Sequence, residues 1–147
     1  MSEALPVVGR GFCFGDLRLG FRFRTHRRTI AESDLAAFAN LTWLTEELFT
    51  VDEESKPRLV PGALVYAFAE GLLLPTMQDT GLAFLGATLD VKAPTRVGDT
   101  IHVECEVVEH RLTSKGDRGL VRFANKVLNQ RGEVVLEYNP IRLLKIK

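Results

Sequence analysis

The sequence predicts an α+β domain in which a curved antiparallel sheet wraps one long central helix. The first observation is the segment 61–77, which as a helix is apolar on almost every side and therefore predicts burial around most of its circumference. The second is the part of the chain after it, where apolar residues alternate with polar ones as in half-buried strands. A length of 147 residues suits one domain, and we expect a single domain over 1–147.

The composition restricts the classes of partner. Nineteen basic and nineteen acidic residues give no net charge, and no basic run exceeds Arg27-Arg28, which argues against a nucleic-acid surface or an anionic membrane. The two cysteines, Cys13 and Cys105, lack metal-ligand spacing, and the N-terminus has no apolar signal region. We therefore expect a cytoplasmic protein with reduced thiols, Cys105 being a buried structural thiol on an apolar strand face.

The elements before the central helix follow from local patterns. Residues up to about Arg18 have no period and predict a loose lead-in, whereas 21–30 alternates as in a first strand. Thr29 and Glu32 have the spacing of a capping box that opens a short helix. The acidic stretch 42–57 predicts a long irregular loop, and loops of that length in compact domains are often functional.

The central helix is bounded by prolines. Pro61 suits the first helical turn and Pro75 ends the run, giving roughly 22 Å of helix at ~1.5 Å per residue, against ~30 Å for a bilayer crossing. This length argues against a transmembrane span. A glycine at 62 has two interpretations: it leaves the first backbone amides open to a ligand oxygen, or it permits close packing of the helix against a strand.

Four further strands are predicted after the helix, joined by short turns that favour an antiparallel meander. They cover residues 81–91, 100–111, 119–129 and 133–145. In the second of them, His102 and His110 lie on the polar face about 27 Å apart at ~3.4 Å per residue, so they cannot form one site. We expect both to be surface histidines.

Several blocks of residues carry a family likeness. They are Arg28-Thr29-Ile30 with Asp34 and 37–42, then 59–65, 94–101, 104–109, 114–119 and 129–135. In this order and spacing the chain resembles the MaoC-like dehydratases, or (R)-specific enoyl-CoA hydratases, from about Gly15 to Lys147. Each block is short, and it is their common order that makes the resemblance specific.

The resemblance implies a hotdog fold, in which an antiparallel sheet wraps the central helix, assembled as a homodimer or a higher homo-oligomer. It also implies a hydro-lyase of fatty acid metabolism, an enoyl-CoA hydratase or 3-hydroxyacyl-CoA dehydratase, with an acyl-CoA as substrate or ligand and no cofactor or metal. Gly62, beside Pro61, would then supply an oxyanion-hole amide to the thioester carbonyl. That role suits a free donor at a helix N-terminus.

The chain departs from the family where the chemistry is done. Hydration in the family depends on an Asp and a His five residues later, in a pattern close to Gly-Asp-x-Asn-Pro-x-His. Leu44 and Phe49 occupy those two places here, and neither side chain can take or give a proton. Trp43 replaces the glycine and adds apolar bulk at the pocket mouth. We therefore expect an acyl-CoA-binding protein with weak or no hydratase activity, or alternatively a structural partner subunit of an active hydratase.

Four carboxylates remain as candidates for the missing proton transfer. Glu46 and Glu47 lie in the altered loop, and Asp52 lies one residue beyond the place of a further family Asp. Glu70 is the only charge in the apolar helix, so it must be paired, exposed at an edge or functional. One group of hotdog thioesterases resembles this chain in placing a catalytic Glu about two turns after the oxyanion glycine, which makes a thioesterase that uses Glu70 the alternative function.

Substrate contacts are predicted from three parts of the chain. Trp43, Leu44 and Phe49 would line the pocket mouth, and Pro61 and Gly62 would meet the thioester. Three basic residues in two turns would meet the nucleotide phosphates of the coenzyme. These are Arg96, Lys115 and Arg118.

Overall fold

The computed structural model describes residues 4–52 and 54–147. The helices are α1 Glu32–Thr42, α2 Glu47–Thr50, α3 Gly62–Leu72 and α4 Leu74–Met77, and a single 3-10 turn spans Phe14–Asp16. The first strands are β1 Arg22–Arg24, β2 Arg28–Thr29, β3 Leu59–Val60, β4 Gly81–Gly86, β5 Leu89–Val91 and β6 Thr95–Arg96. The last strands are β7 Thr100–Leu112, β8 Gly119–Leu128, β9 Val134–Tyr138 and β10 Ile141–Leu144.

One large antiparallel sheet forms the body of the molecule. β1 and β2 pair with β7, β7 pairs with β8, and β9 and β10 follow each other along the far side of β8. β5 and β4 pair in turn with β9 and β10 and form the other edge, while β3 and β6 make a separate two-stranded ribbon. The central helix α3 packs against β7 and β9. The predicted α+β hotdog architecture is confirmed.

The core lies between α3 and the sheet. The helix buries Leu64, Val65, Ala69 and Leu73 against inward-facing residues of three strands. These strand residues are Ile101, Val103, Cys105, Val127, Val135, Leu136 and Tyr138. Along β7 and β8 buried and less buried residues alternate, because a two-residue period places one face of a strand on the core.

Three predicted strands are broken in the structure. The predicted strand 21–30 is interrupted at 25–27, and the predicted strand 81–91 is interrupted at 87–88. The predicted strand 133–145 is interrupted at Asn139-Pro140, where proline has no amide hydrogen for the ladder. The predicted meander is wrong for the strand that follows the helix. β4 and β5 lie at the edge beside β10 and β9, and the chain returns past β6 to reach β7. Among the strands of the described residues, only β7, β8 and β9 are both consecutive in the chain and paired side by side in the sheet.

The central helix also differs from its prediction. Pro61 is the N-cap with φ −59°, α3 ends at Leu72, and Pro75 lies inside the short helix α4 rather than ending the run. The prediction that the central helix is buried on nearly every side is wrong for one chain, because an exposed stripe of small residues runs along α3 at helical spacing. The stripe consists of Ala63, Ala67 and Gly71.

The predicted capping box is wrong in its residues. Thr29 is still extended in β2, and its hydroxyl lies 2.6 Å from that of Thr100, so it is not available to cap a helix. The N-cap of α1 is Ala31, whose backbone amide donates to the Asp34 carboxylate at 2.8 Å. An acidic group in the first turn suits the positive end of the helix.

The N-terminal segment is ordered against both α4 and β10, which makes the predicted loose lead-in wrong from residue 11 onward. In this strap, residues 11–16, the amides of Gly11 and Phe12 donate to Gln78 and Thr76 carbonyls at 2.9 and 2.7 Å. Farther along, the amide of Phe14 donates to the Lys145 carbonyl at 2.8 Å. A Cβ on Gly11 would lie 2.4 Å from the Thr76 backbone, so only glycine permits this approach.

The cysteine prediction is confirmed and one of the histidine predictions is wrong. Cys13 and Cys105 are free and buried, and burial raises the pKa of Cys105 to about 12. His102 is only 8% exposed, with its Nε2 2.9 Å from Glu104. His110 is half-buried and stacks on Phe14 with ring centroids 3.8 Å apart. Within residues 4–52 and 54–147, no helix has the length and apolar content that a bilayer crossing requires.

Candidate functional site

The N-terminus of α3 presents an open backbone donor. Gly62 is the first residue of the helix, so its amide has no intrahelical acceptor. The carbonyl of the N-cap Pro61 accepts from the amides of Leu64 and Val65 at 3.0 and 3.2 Å. The amide of Gly62 therefore lies at the positive end of the helix dipole, where a carbonyl oxygen or an anionic oxygen is stabilised.

A small cavity of about 40 Å³ adjoins this helix end. Aliphatic and small residues line it, namely Val60, Gly62, Val65, Val91, Ala93, Pro94, Thr95, Val135 and Leu136. A Cβ on Gly62 would lie 2.9 Å from Cγ2 of Val91, so the glycine also permits close packing of α3 against β5. The close packing predicted for Gly62 is observed, and the position of its amide is also compatible with the ligand interpretation, which stays a prediction.

The altered loop lies next to this helix end. α2, which follows Trp43 and Leu44, contacts β3, and β3 leads directly into Pro61. Phe49 is half-buried and packs against the main core, and Leu44 is also half-buried. Leu44 and Phe49 therefore contribute apolar surface and no titratable group.

Trp43 has an unusual conformation. It ends α1 with φ 62°, in the left-handed region that costs a non-glycine residue about 1–2 kcal/mol, and its side chain is 86% exposed. Glycine is the usual residue at such a helix end. Other large apolar side chains of the segment are also exposed, namely Leu41, Leu48 and Val51. The loop therefore carries strain and apolar surface that contacts within one chain do not explain.

The loop carboxylates are placed at the surface. Glu46 is the N-cap of α2 and Glu47 lies in its first turn, and both are exposed. Asp52 accepts from Nε of Arg58 at 2.7 Å, and the same guanidinium lies 3.2 Å from Glu32. The hydrogen bond to Asp52 is the main cause that raises the pKa of Arg58. Asp52 is therefore held in an exposed ion-pair network.

Glu70 is paired with an arginine, one of the three fates considered for it. Its Oε2 accepts from Nη2 of Arg142 at 2.5 Å and from the Tyr138 hydroxyl at 3.1 Å. The arginine side chain is 8% exposed and the glutamate side chain 21%. Burial, and after it the charge of Glu70, raise the pKa of Tyr138. The charge of Glu70 is therefore compensated by Arg142 of β10, and its carboxylate also accepts a hydrogen bond from Tyr138 of β9.

The partners of Glu70 were not predicted from the sequence. Tyr138 lies opposite Asn125 of β8, which lies opposite Cys105 of β7. Asn125 shares the inward face of β8 with Phe123 and Val127, so a polar residue on an apolar face was a usable signal. Arg142 gave no comparable signal, because the break before β10 obscures which face it occupies.

The predicted phosphate-binding residues do not converge within one chain. Arg96 lies in β6 next to Thr95 of the small cavity, and its guanidinium donates to the Pro57 carbonyl at 2.7 Å. Lys115 and Arg118 lie in the turn after β7, at the opposite end of a strand that spans about 40 Å at ~3.3 Å per residue. Only Arg96 is near the Gly62 amide.

Comparison with known proteins adds independent information on this arrangement. The family model described as the FAS1-like dehydratase domain region matches residues 18–138. An (R)-specific enoyl-CoA hydratase from Rhodospirillum rubrum is 30% identical over 79 residues, which span 50% of this chain and 55% of that protein. The match thus spans about half the length of this curated relative.

Two solved structures match over most of this chain. The MaoC-like dehydratase from Rhodospirillum rubrum is 27% identical with a TM-score of 0.79, covering 93% of this chain and 99% of its own. The R-hydratase PhaJ1 from Pseudomonas aeruginosa, in its unliganded form, is 26% identical with a TM-score of 0.76, covering 93% and 88%. The likeness thus extends over nearly the whole sheet and the central helix.

The strained helix end at Trp43 generates a stability prediction. Trp43→Gly is expected to raise the free energy of unfolding by about 1 kcal/mol, because glycine adopts the left-handed conformation without the Cβ penalty and little side-chain contact is lost. Urea denaturation measures the change. Trp43→Ala is the matched control, since it removes the indole but keeps the Cβ, and it should leave stability nearly unchanged. A loss of stability in Trp43→Gly would contradict the strain at this position.

Proposed function

This chain belongs to the MaoC-like hotdog dehydratase family, and on that basis we propose that it binds an acyl-CoA or a related pantetheine thioester without ordinary hydratase turnover. The observation that carries the proposal is an open amide at Gly62 beside a loop with no proton-transfer group at positions 44 and 49. The proposed location is the cytoplasm, in keeping with the free thiols of Cys13 and Cys105.

The binding half of the proposal follows from the helix end. A thioester carbonyl placed against the Gly62 amide would gain a hydrogen bond and the favourable field of the α3 dipole. The adjoining aliphatic cavity suits the apolar atoms next to that carbonyl. Arg96 follows Thr95 of the cavity wall, and it is proposed to face the polar part of the ligand.

The catalytic half of the proposal follows from the missing groups. General acid and base catalysis contributes about 10²- to 10⁴-fold in rate, and a pair that acts together loses most of its effect when either member is absent. Leu44 and Phe49 cannot transfer a proton, and the exposed carboxylates of Glu46 and Glu47 have no fixed position toward Gly62 in the described contacts. The substrate would thus be held but not hydrated.

The thioesterase alternative requires Glu70 to act as a base or nucleophile. Its carboxylate accepts two hydrogen bonds, from Arg142 and Tyr138, and the arginine is almost fully buried. A carboxylate that accepts two hydrogen bonds has fewer lone pairs available to take a proton or to attack a carbonyl. The geometry therefore favours a role for Glu70 in holding α3 against the sheet.

We also propose that two copies pair along the edge formed by β4 and β5. All but one of the residues of these strands are exposed, and an open sheet edge with apolar side chains favours pairing with another strand. The large exposed side chains there are Leu82, Phe84, Leu85, Leu89 and Val91. The exposed stripe Ala63, Ala67 and Gly71 would let the central helices of the two copies approach closely.

The ligand is tested by thermal shift with a panel of acyl-CoAs of increasing chain length. At least one of them is expected to raise the melting temperature of the parent protein, because a ligand that binds only the folded state stabilises it. Gly62→Ala should abolish that rise by blocking the approach to the amide. Its matched control is Gly62→Ala with Val91→Ala, which relieves the 2.9 Å contact and should restore stability but not binding. No shift with any acyl-CoA would remove the main support for the proposal.

The reaction is tested by the loss of enoyl-thioester absorbance with short- and medium-chain enoyl-CoAs. The parent protein is expected to show at least about 10²-fold slower turnover than a family hydratase that keeps the Asp and His. Free thiol is measured in the same reactions with acyl-CoAs, and none is expected. Glu70→Gln serves as the control, since thiol release that disappears in this variant would establish the thioesterase. Rapid hydration by the parent would show that another carboxylate supplies the proton transfer.

The assembly is tested by light scattering after size exclusion. A dimer mass is expected at micromolar concentration, since the β4 and β5 edge remains uncovered in one chain. Leu85→Lys, which places a charge on an exposed edge position, should shift the mass toward the monomer. Leu41→Lys is the matched control, because it adds the same charge to an exposed residue away from this edge. A monomeric parent protein would contradict the pairing.

A further inference from the structure

A second space, a small cavity, lies on the inner face of the sheet and is remote from the Gly62 amide. It measures about 10 Å³ and lies between the C-terminal end of α3, α4, the sheet and the strap. Most of its lining is apolar, and five of its residues carry polar side-chain atoms or sulfur. Its lining residues are Phe12, Leu17, Phe23, Leu73, Thr76, Met77, Cys105, Phe123, Asn125, Arg142 and Leu144. At ~1.5 Å per residue, Leu73 lies about 16 Å along the helix from Gly62.

Asn125 brings an unpaired acceptor to this space. Its side chain is 3% exposed, and its Oδ1 has no hydrogen-bond partner among the described protein atoms. A buried carbonyl oxygen without a donor is unfavourable.

Complementary groups surround that acceptor. Arg142 uses one nitrogen, Nη2, to donate to Glu70, and a guanidinium has five N–H donors in all. The Thr76 hydroxyl donates to the Leu73 carbonyl at 2.6 Å, which leaves its oxygen lone pairs available as acceptors. The space is therefore lined by two acceptors and a cationic donor.

From this arrangement we infer that the space binds one ordered water molecule. The water donates to Oδ1 of Asn125 and Oγ1 of Thr76 and accepts from the guanidinium of Arg142. Three hydrogen bonds are typical of a buried water, and a volume of about one probe sphere is the least that holds one. The water completes the polar network of Glu70, Tyr138, Arg142 and Asn125 beneath the central helix.

This water is distinct from any molecule that would add to a thioester at Gly62. The distance of about 16 Å along α3 separates the two places, and Phe12 of the strap is one of the lining residues. The role of the water is to satisfy buried polar groups, and three hydrogen bonds hold it in place. We therefore expect a long residence time.

The inference is tested by magnetisation transfer from water to methyl groups in NMR spectra of methyl-labelled protein. The parent protein should show a long-lived water near the methyl groups of Leu73, Met77 and Leu144. Asn125→Leu, of similar volume but without an acceptor, should lose these contacts. Asn40→Leu makes the same chemical change at an exposed position of α1 and should keep them. Absence of the contacts in the parent, or their persistence in Asn125→Leu, overturns the inference.

A second measurement covers the case in which Asn125→Leu does not fold. A high-resolution crystal structure of the parent protein should show a solvent peak within hydrogen-bonding distance of Asn125 Oδ1, Thr76 Oγ1 and the Arg142 guanidinium. Thr76→Val, which keeps the shape and removes one acceptor, should weaken or remove that peak. A parent structure without density in this space overturns the inference by itself.

Discussion

The charge of Glu70 has to be compensated before α3 can lie against the sheet. An unpaired carboxylate at a largely buried position costs several kcal/mol, and Arg142 of β10 and Tyr138 of β9 both donate to it. These bonds fix the rotation of the helix and its position along its axis, which nonpolar packing alone specifies weakly. The same fixed position of α3 places Gly62 against Val91 and the walls of the small cavity. The candidate site thus depends on an ion pair two helical turns away.

The predictable part of the fold is the part determined by periodicity. β7 and β8 end within one residue of their predicted limits, because most positions on the inward face of each strand are apolar. The breaks at 25–27 and 87–88 have no comparable pattern, and the position of β4 at the sheet edge depends on contacts between residues distant in sequence. His102 was misplaced for a related reason, since a polar face is assumed to be wet and this histidine is covered.

The candidate site divides in the same way. The place of Gly62 at a helix N-terminus follows from the adjacent proline and the apolar run, and the structure has it there. The apolar character of positions 44 and 49 is evident from the sequence, as is the lone charge at Glu70. The identity of its partners is not, because Arg142 follows a strand break, and the separation of Arg96 from Lys115 and Arg118 becomes visible only once β7 is extended. The open amide at Gly62 beside apolar side chains at positions 44 and 49 supports the proposal that a binding geometry persists here apart from its chemistry.

The strap has a consequence for how the chain reaches this structure. Its hydrogen bonds join Phe14 to Lys145 and Gly15 to Ile146, residues separated by nearly the whole sequence. Contacts of such separation raise the relative contact order. High contact order slows folding because the entropy of the long loop is lost before the contact forms and stabilises the chain. The sheet and α3 must therefore collapse while the end of α4 and the last strand are still uncovered. In a cell, this chain would expose that surface until β10 and the residues after it have been synthesised.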